Sequence, residues 1–231
     1  MTGGTEELIL AMTLFVGGHF LLSHPTVRPR LVRQLGENGF TIAYSLAAIV
    51  ALVWALMAYG RAPYVALWPA EPWTRLVPVA VMPVALFLVV AALTTPNVTA
   101  VGGERLATHG DPAPGIMRVT RHPMMWGVLL WALSHLPPNG DLASLVLFGG
   151  MAILSGGGML AIDAKKAARL GPAWGPIALT TSVLPFQAIL EGRARFDAAG
   201  IGWWRPLLAA LLYIGLLHGH AYVAGVPVGL N

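Results

Sequence analysis

Residues 76–93 read LVPVAVMPVALFLVVAAL, eighteen positions without a charge. At ~1.5 Å of rise per residue, a helix of that length nearly matches the ~30 Å hydrocarbon core of a bilayer. Pro78 and Pro83 would break such a helix in water, but neighbouring helices tolerate them in a bundle. Five further apolar segments lie around it, at 7–23, 39–59, 124–136, 142–162 and 206–226. The pattern predicts an all-α polytopic transmembrane bundle of about six helices, forming one domain over residues 1–231. Segment 124–136 is short for a crossing, so it either borrows from 116–123 or is shielded by its neighbours. Gly149, Gly150 and Gly156 to Gly158 in the fifth segment permit close helix contact.

Composition supports the same class. Of 231 residues, 56% are hydrophobic and only 10% charged, whereas a soluble domain of this size would carry far more surface charge. The net charge of +4 is spread between loops rather than gathered in a patch, which argues against nucleic acid as a partner. With no cysteine, thiolate zinc sites, iron–sulfur clusters and a cysteine nucleophile are excluded, and any metal must be held by His, carboxylate or thioether. The first apolar segment has neither a basic flank before it nor a small-residue cleavage site after it, so it reads as a retained helix.

Orientation follows from the basic residues. In a six-span chain Arg28, Arg30, Arg33, Arg105, Arg118, Arg121, Lys165, Lys166, Arg169, Arg193, Arg195 and Arg205 fall on one side, and only Arg61 and Arg75 on the other. The positive-inside rule makes the first side cytoplasmic, leaving Glu6, Glu7, Glu71, Asp141 and both termini outside, as expected for a bacterial inner membrane. Two long connections, 94–121 and 163–204, then face the cytoplasm. Within the second, 174–190 is apolar enough for an interfacial helix or a re-entrant segment. The halves show no repeat, so an inverted-repeat transporter has no support.

Three of the seven histidines, His19, His135 and His218, lie inside apolar segments. An imidazole in hydrocarbon must find a partner, either a carbonyl or hydroxyl on a neighbouring helix or a functional ligand. Counted from the cytoplasmic arginines, His19 lies ~13 Å deep, His135 ~21 Å and His218 ~20 Å. Two neutral imidazoles at such heights suit the axial positions of a haem iron, but depth alone does not choose between His19 with His135 and His135 with His218. His24 and His109 read as solvated loop residues. His220 faces away from His218, and Met124 and Met125 read as packing residues rather than thioether ligands.

His19 with Leu22 and Ser23, the arginines from Arg28 to Arg33, and Glu37 to Phe40 resemble the start of NnrU-type membrane proteins. The likeness continues in residues 115–127, GIMRVTRHPMMWG, in His135 thirteen residues after His122, and in His218. That group includes a plant and cyanobacterial carotene isomerase that holds haem b. The resemblance implies haem b iron bound axially by His19 and His135, with Arg118, Arg121 and His122 serving propionates or hydrogen bonds behind the ligands. It implies a lipid-embedded haem-dependent cis–trans isomerase of an apolar polyene, fed by an electron donor that the sequence does not identify. The family name also admits a role in nitrogen-oxide metabolism.

Gly115, Arg118, Arg121, His122, Pro123 and Gly127 also resemble the arginine-histidine-proline signature of isoprenylcysteine and phospholipid methyltransferases, with an echo of their second block in Asp163, Gly171, Trp174 and Pro185. That resemblance implies an S-adenosylmethionine-dependent membrane methyltransferase. Here the usual Glu is an Asp and the usual tyrosines are absent. A non-enzymatic membrane scaffold, with histidines that only tie helices together, is the third reading.

Overall fold

The computed structural model describes residues 3–100, 102–108, 111 and 113–228; His109 lies outside the described residues. Ten α-helices occur among them, besides three short 3-10 turns: α1 (Gly3–Leu22), α2 (Arg28–Arg61), α3 (Leu76–Thr94), α4 (Ile116–Val119), α5 (Pro123–His135), α6 (Leu142–Leu170), α7 (Trp174–Thr180), α8 (Gln187–Leu190), α9 (Ala198–Ile201) and α10 (Trp204–Ala224). Among the described residues there is no strand, only an isolated antiparallel bridge between Ala66 and Asp141. Five stretches are long and apolar enough to cross a bilayer: Gly4–Leu22, Arg28–Arg61, Pro72–Thr94, Leu142–Thr180 and Trp204–Ala224. Their outward side chains are large and apolar, as for Val50 (67% exposed) and Leu211 (59%), which is the surface lipid requires.

The short fourth segment, 124–136, takes only Pro123 from 116–123. Thr120 is extended (φ −152°, ψ 141°), and it separates α4 from α5. Helix α5 then starts at Pro123, where a missing N–H costs nothing, and spans thirteen residues or ~20 Å. The stretch 174–190 is not one continuous helix either: α7 ends at Thr180, an extended run follows, and α8 begins at Gln187. Helix α2 is longer than the apolar segment inside it, because an N-terminal basic section joins it across a break at Gly36 (φ 71°, ψ 167°).

The chain forms two compact units. Unit 1 comprises Met1–Thr74 and His135–Leu154. Helix α1 packs along α2. Leu8, Ala11, Met12 and Phe15 make its buried stripe at helical spacing, and Met12 meets Gly150 of α6. Glu7 accepts from Trp54 Nε1 (2.8 Å) and Arg61 (2.7 Å), tying the start of α1 to the end of α2. The chain leaving α2 pairs with the turn before α6 through Leu67 N to Gly140 O (2.7 Å) and Leu142 N to Val65 O (2.9 Å). There Asp141 caps α6, accepting from Ser144 N (3.0 Å) and Ser144 Oγ (2.6 Å). Asp141 is buried at this cap.

Unit 2 comprises Arg75–Ser134 and Ser155–Asn231. Helix α10 packs on α3, with Tyr213 donating to the Val79 carbonyl (3.0 Å), and α5 approaches α3 closely at Gly127. Leu88 and Ala91 of α3, Ile116 and Val119 of α4 and Ile201 of α9 form one apolar core. The two long connections fold onto each other as a polar layer within this unit. Arg205 donates to Thr94, and Lys166 to Glu104 (2.8 Å) and the Ala100 carbonyl (2.8 Å).

Candidate functional site

The densest polar chemistry lies in unit 2, where α4 breaks into α5. Thr120 Oγ1 donates to the Val183 carbonyl (2.8 Å), and Arg121 N donates to the Ser182 carbonyl (2.9 Å). These bonds hold the backbone extended and set Arg121 and His122 against the end of α6. Asp163 of α6 then receives both side chains: Arg121 Nε (2.8 Å) and Nη2 (2.6 Å) on Oδ2, and His122 Nε2 (2.7 Å) on Oδ1. The carboxylate places a proton of His122 on Nε2, and Nδ1 is buried without a hydrogen-bond partner among the described residues. Trp174 covers the Arg121 guanidinium with its ring centroid 5.8 Å away.

Beside this triad lies a cavity of about 250 Å³ lined by Arg121, Arg193, Thr181, Ser182 and Gln187 among others. Sequence reasoning named Arg193 only as a cytoplasmic-side cation and did not single out Thr181, Ser182 or Gln187; the hydroxyl-rich run Thr180, Thr181, Ser182 was the local signal for the first two of these. It also read Lys166 as a loop cation, whereas Lys166 is buried against Glu104. Burial raises the Glu104 carboxyl, but the Lys166 hydrogen bond and the charges of Lys166 and Arg169 outweigh it and leave that carboxyl below its ordinary range. Arg118 is engaged elsewhere, with Asp111 (2.6 Å).

The intramembrane histidines divide. His19 and His135 both belong to unit 1; His122 and His218 belong to unit 2. His19 is half-buried, its ring edge-on to Phe15 (4.6 Å) and Tyr44 (5.4 Å). Its Nδ1–H donates to the Phe15 carbonyl (2.7 Å), which fixes the tautomer and leaves Nε2 as the acceptor. His135, also half-buried, ends α5 with its ring 5.3 Å from Phe148. His218 is exposed on α10 and bonds the Ile214 carbonyl of its own helix (2.8 Å) rather than a group on a neighbouring helix.

Haem b, implied by the resemblance, needs two neutral imidazole donors and an apolar surround. Unit 1 offers two half-buried imidazoles, the first with its second nitrogen tied to a carbonyl, and the chain holds no competing thiolate, but the two rings have different neighbours: Phe15 and Tyr44 for His19, Phe148 for His135. The cavity at His19, about 40 Å³ between α1 and α2, is smaller than a tetrapyrrole and is not lined by His135, so only the chemistry of the donors speaks for the group.

Apolar crossing helices, buried polar groups tied in pairs and imidazoles set among aromatic rings define a polytopic helical membrane protein with a site chemistry of its own. The NnrU protein family matches over residues 7–228, running through both units, and the chain belongs to that family. Over 81 residues it is 36% identical to the chloroplastic 15-cis-zeta-carotene isomerase of Zea mays, covering 35% of this chain and 22% of that protein. Over 79 residues it is 39% identical to the isomerase of the same name from Arabidopsis thaliana, covering 34% and 22%. The matched stretch thus spans about a fifth of those relatives. No solved structure matches.

Proposed function

We propose that this chain is a haem b-holding, isomerase-type membrane protein acting on an apolar polyene, in which Nε2 of His19 and a ring nitrogen of His135 would hold the iron. One observation carries the choice of ligands. Residues 19 and 135 are far apart in sequence yet fold into the same compact unit, while His218 falls in the other. When bound, the iron supplies a Lewis-acidic, redox-active centre able to polarise a conjugated double bond. The chain's own part is to hold the proton of His19 on Nδ1 through Phe15, to fix both imidazoles with aromatic contacts, and to keep water out with apolar walls. A lipophilic substrate would enter sideways from the bilayer, and an electron donor would approach from the basic side. That side is the cytoplasmic one of a bacterial inner membrane under the positive-inside rule.

Absorption spectra of the detergent-purified chain, oxidised and dithionite-reduced, test this directly. A Soret band with six-coordinate low-spin features is expected. It should weaken in His19→Ala and in His135→Ala and persist in His218→Ala and His122→Ala. Absence of any band after expression with ample haem would sink the proposal.

A further inference from the structure

The cavity in unit 2 has a cationic wall that the histidine pair does not use. Arg121 and Arg193 line it together with Thr181, Ser182 and Gln187, and no carboxylate does. Asp163 takes Nε and Nη2 of Arg121, which leaves Nη1 with one long contact to Thr181 Oγ1 (3.4 Å). A guanidinium has five N–H donors, so donors remain at Nη1 for a ligand. The charge of Arg193 is balanced by Glu191, which is 46% exposed and therefore screened by solvent.

The wall is built before any ligand arrives. Ser182 O is held by Arg121 N, Val183 O by Thr120 Oγ1 and Trp126 Nε1 (both 2.8 Å), and Thr181 O by Arg193 (3.0 Å). The same segment turns large apolar side chains outward: Leu184 (56% exposed), Phe186 (50%) and Leu190 (84%). Phe186 does so from a left-handed backbone (φ 65°), the one described non-glycine residue at positive φ. Guanidiniums next to exposed apolar side chains match the level where lipid phosphates meet acyl chains.

We propose that this cavity seats the phosphate of an anionic lipid headgroup, with the acyl chains lying along Leu184, Phe186 and Leu190. The source is a lipid rather than a soluble phosphate, because free phosphate gives those apolar side chains nothing to cover. The inference does not depend on the haem assignment.

The test is native mass spectrometry of the full chain in detergent with three probes: phosphatidic acid, the diacylglycerol of the same chains, and glycerol 3-phosphate. Phosphatidic acid should be retained, diacylglycerol should not, and equimolar glycerol 3-phosphate should fail to displace the lipid. Arg193→Gln should weaken retention about tenfold, the worth of one charge-assisted bond. Gln187→Glu, at a half-buried position whose amide bonds Glu191 (2.9 Å), should weaken it similarly by setting a carboxylate in the wall. Arg30→Gln, a charge-matched control in unit 1, should leave it unchanged. Equal retention of diacylglycerol, equal binding of glycerol 3-phosphate, or indifference to both cavity variants would each overturn the proposal.

Discussion

Asp163 ties Arg121 and His122 to one carboxylate. Its side chain is 18% exposed and is shared by a guanidinium and an imidazole. Asp163→Asn removes the charge and leaves both partners poorly satisfied, so a loss of about 2–4 kcal/mol is expected. Asp111→Asn, which frees Arg118 from a carboxylate that is 46% exposed, should cost under about 1 kcal/mol. Thermal unfolding of both variants in one detergent gives the comparison, and equal losses would contradict the shared-anion reading. Asp197 makes a pH prediction. Its carboxyl is held below the ordinary range chiefly by the backbone N–H of Gly200, then by that of Gly115. A depressed carboxyl stabilises the fold above its unfolded value of about 3.9, and that contribution disappears as pH falls through the lower folded value. Asp197→Asn should therefore narrow the stability gap to the parent chain only below about pH 4, in melts run from pH 7 to pH 2. The donor Gly115 sits at φ 55°, where an added Cβ would lie 2.6 Å from Gly200 O, so only glycine fits. Of these residues, Arg121 and His122 were legible from sequence and Asp163 only through a resemblance. The reason is that forty-one positions separate His122 from Asp163, and no helical or turn period links them.

The long apolar helices were legible because a bilayer demands them: twenty or so residues must run without charge, whatever packs beside them. The break before α5 was not, since its causes are hydrogen bonds to Ser182 and Val183, some sixty residues away. Helix contacts follow a similar division. Gly127 and Gly150 both look like small-residue contacts, yet a Cβ at Gly127 would stand 2.9 Å from the backbone carbonyl of Ala85 and 2.7 Å from Val89. A Cβ at Gly150 would meet only the mobile end of Met12, at 2.5 Å. Gly127→Ala should therefore push α5 from α3 and cost about 1–3 kcal/mol, whereas Gly150→Ala should be close to neutral as Met12 changes rotamer and the helix gains propensity. Reversed melting shifts for the two variants would show that the α3 and α5 contact yields more easily than its backbone atoms imply.

For the whole chain, the count of crossings turns on α5, whose thirteen residues give ~20 Å against a core of ~30 Å. The absence of cysteine makes this testable with single reporters. Arg30→Cys and Arg195→Cys lie at exposed positions in the first turn of α2 and after α8, and Tyr64→Cys follows α2 at a site 71% exposed. Between residues 30 and 195 run α2, α3 and α6, which are long enough to cross, and α5, which is not by length alone. If α5 crosses, four passages return the chain to the side it left, and both arginine positions share a face. If it does not, three passages put them on opposite faces. The basic connections favour the first outcome, because the positive-inside rule is satisfied on both sides of the chain only with α5 counted. An impermeant maleimide applied to intact cells should then label position 64 alone, with positions 30 and 195 reacting after permeabilisation. Labelling of 195 but not 30 from outside would make α5 a buried half-passage and reduce the crossings to five. Labelling of 30 and 195 without 64 would keep the six crossings and invert the protein in its membrane.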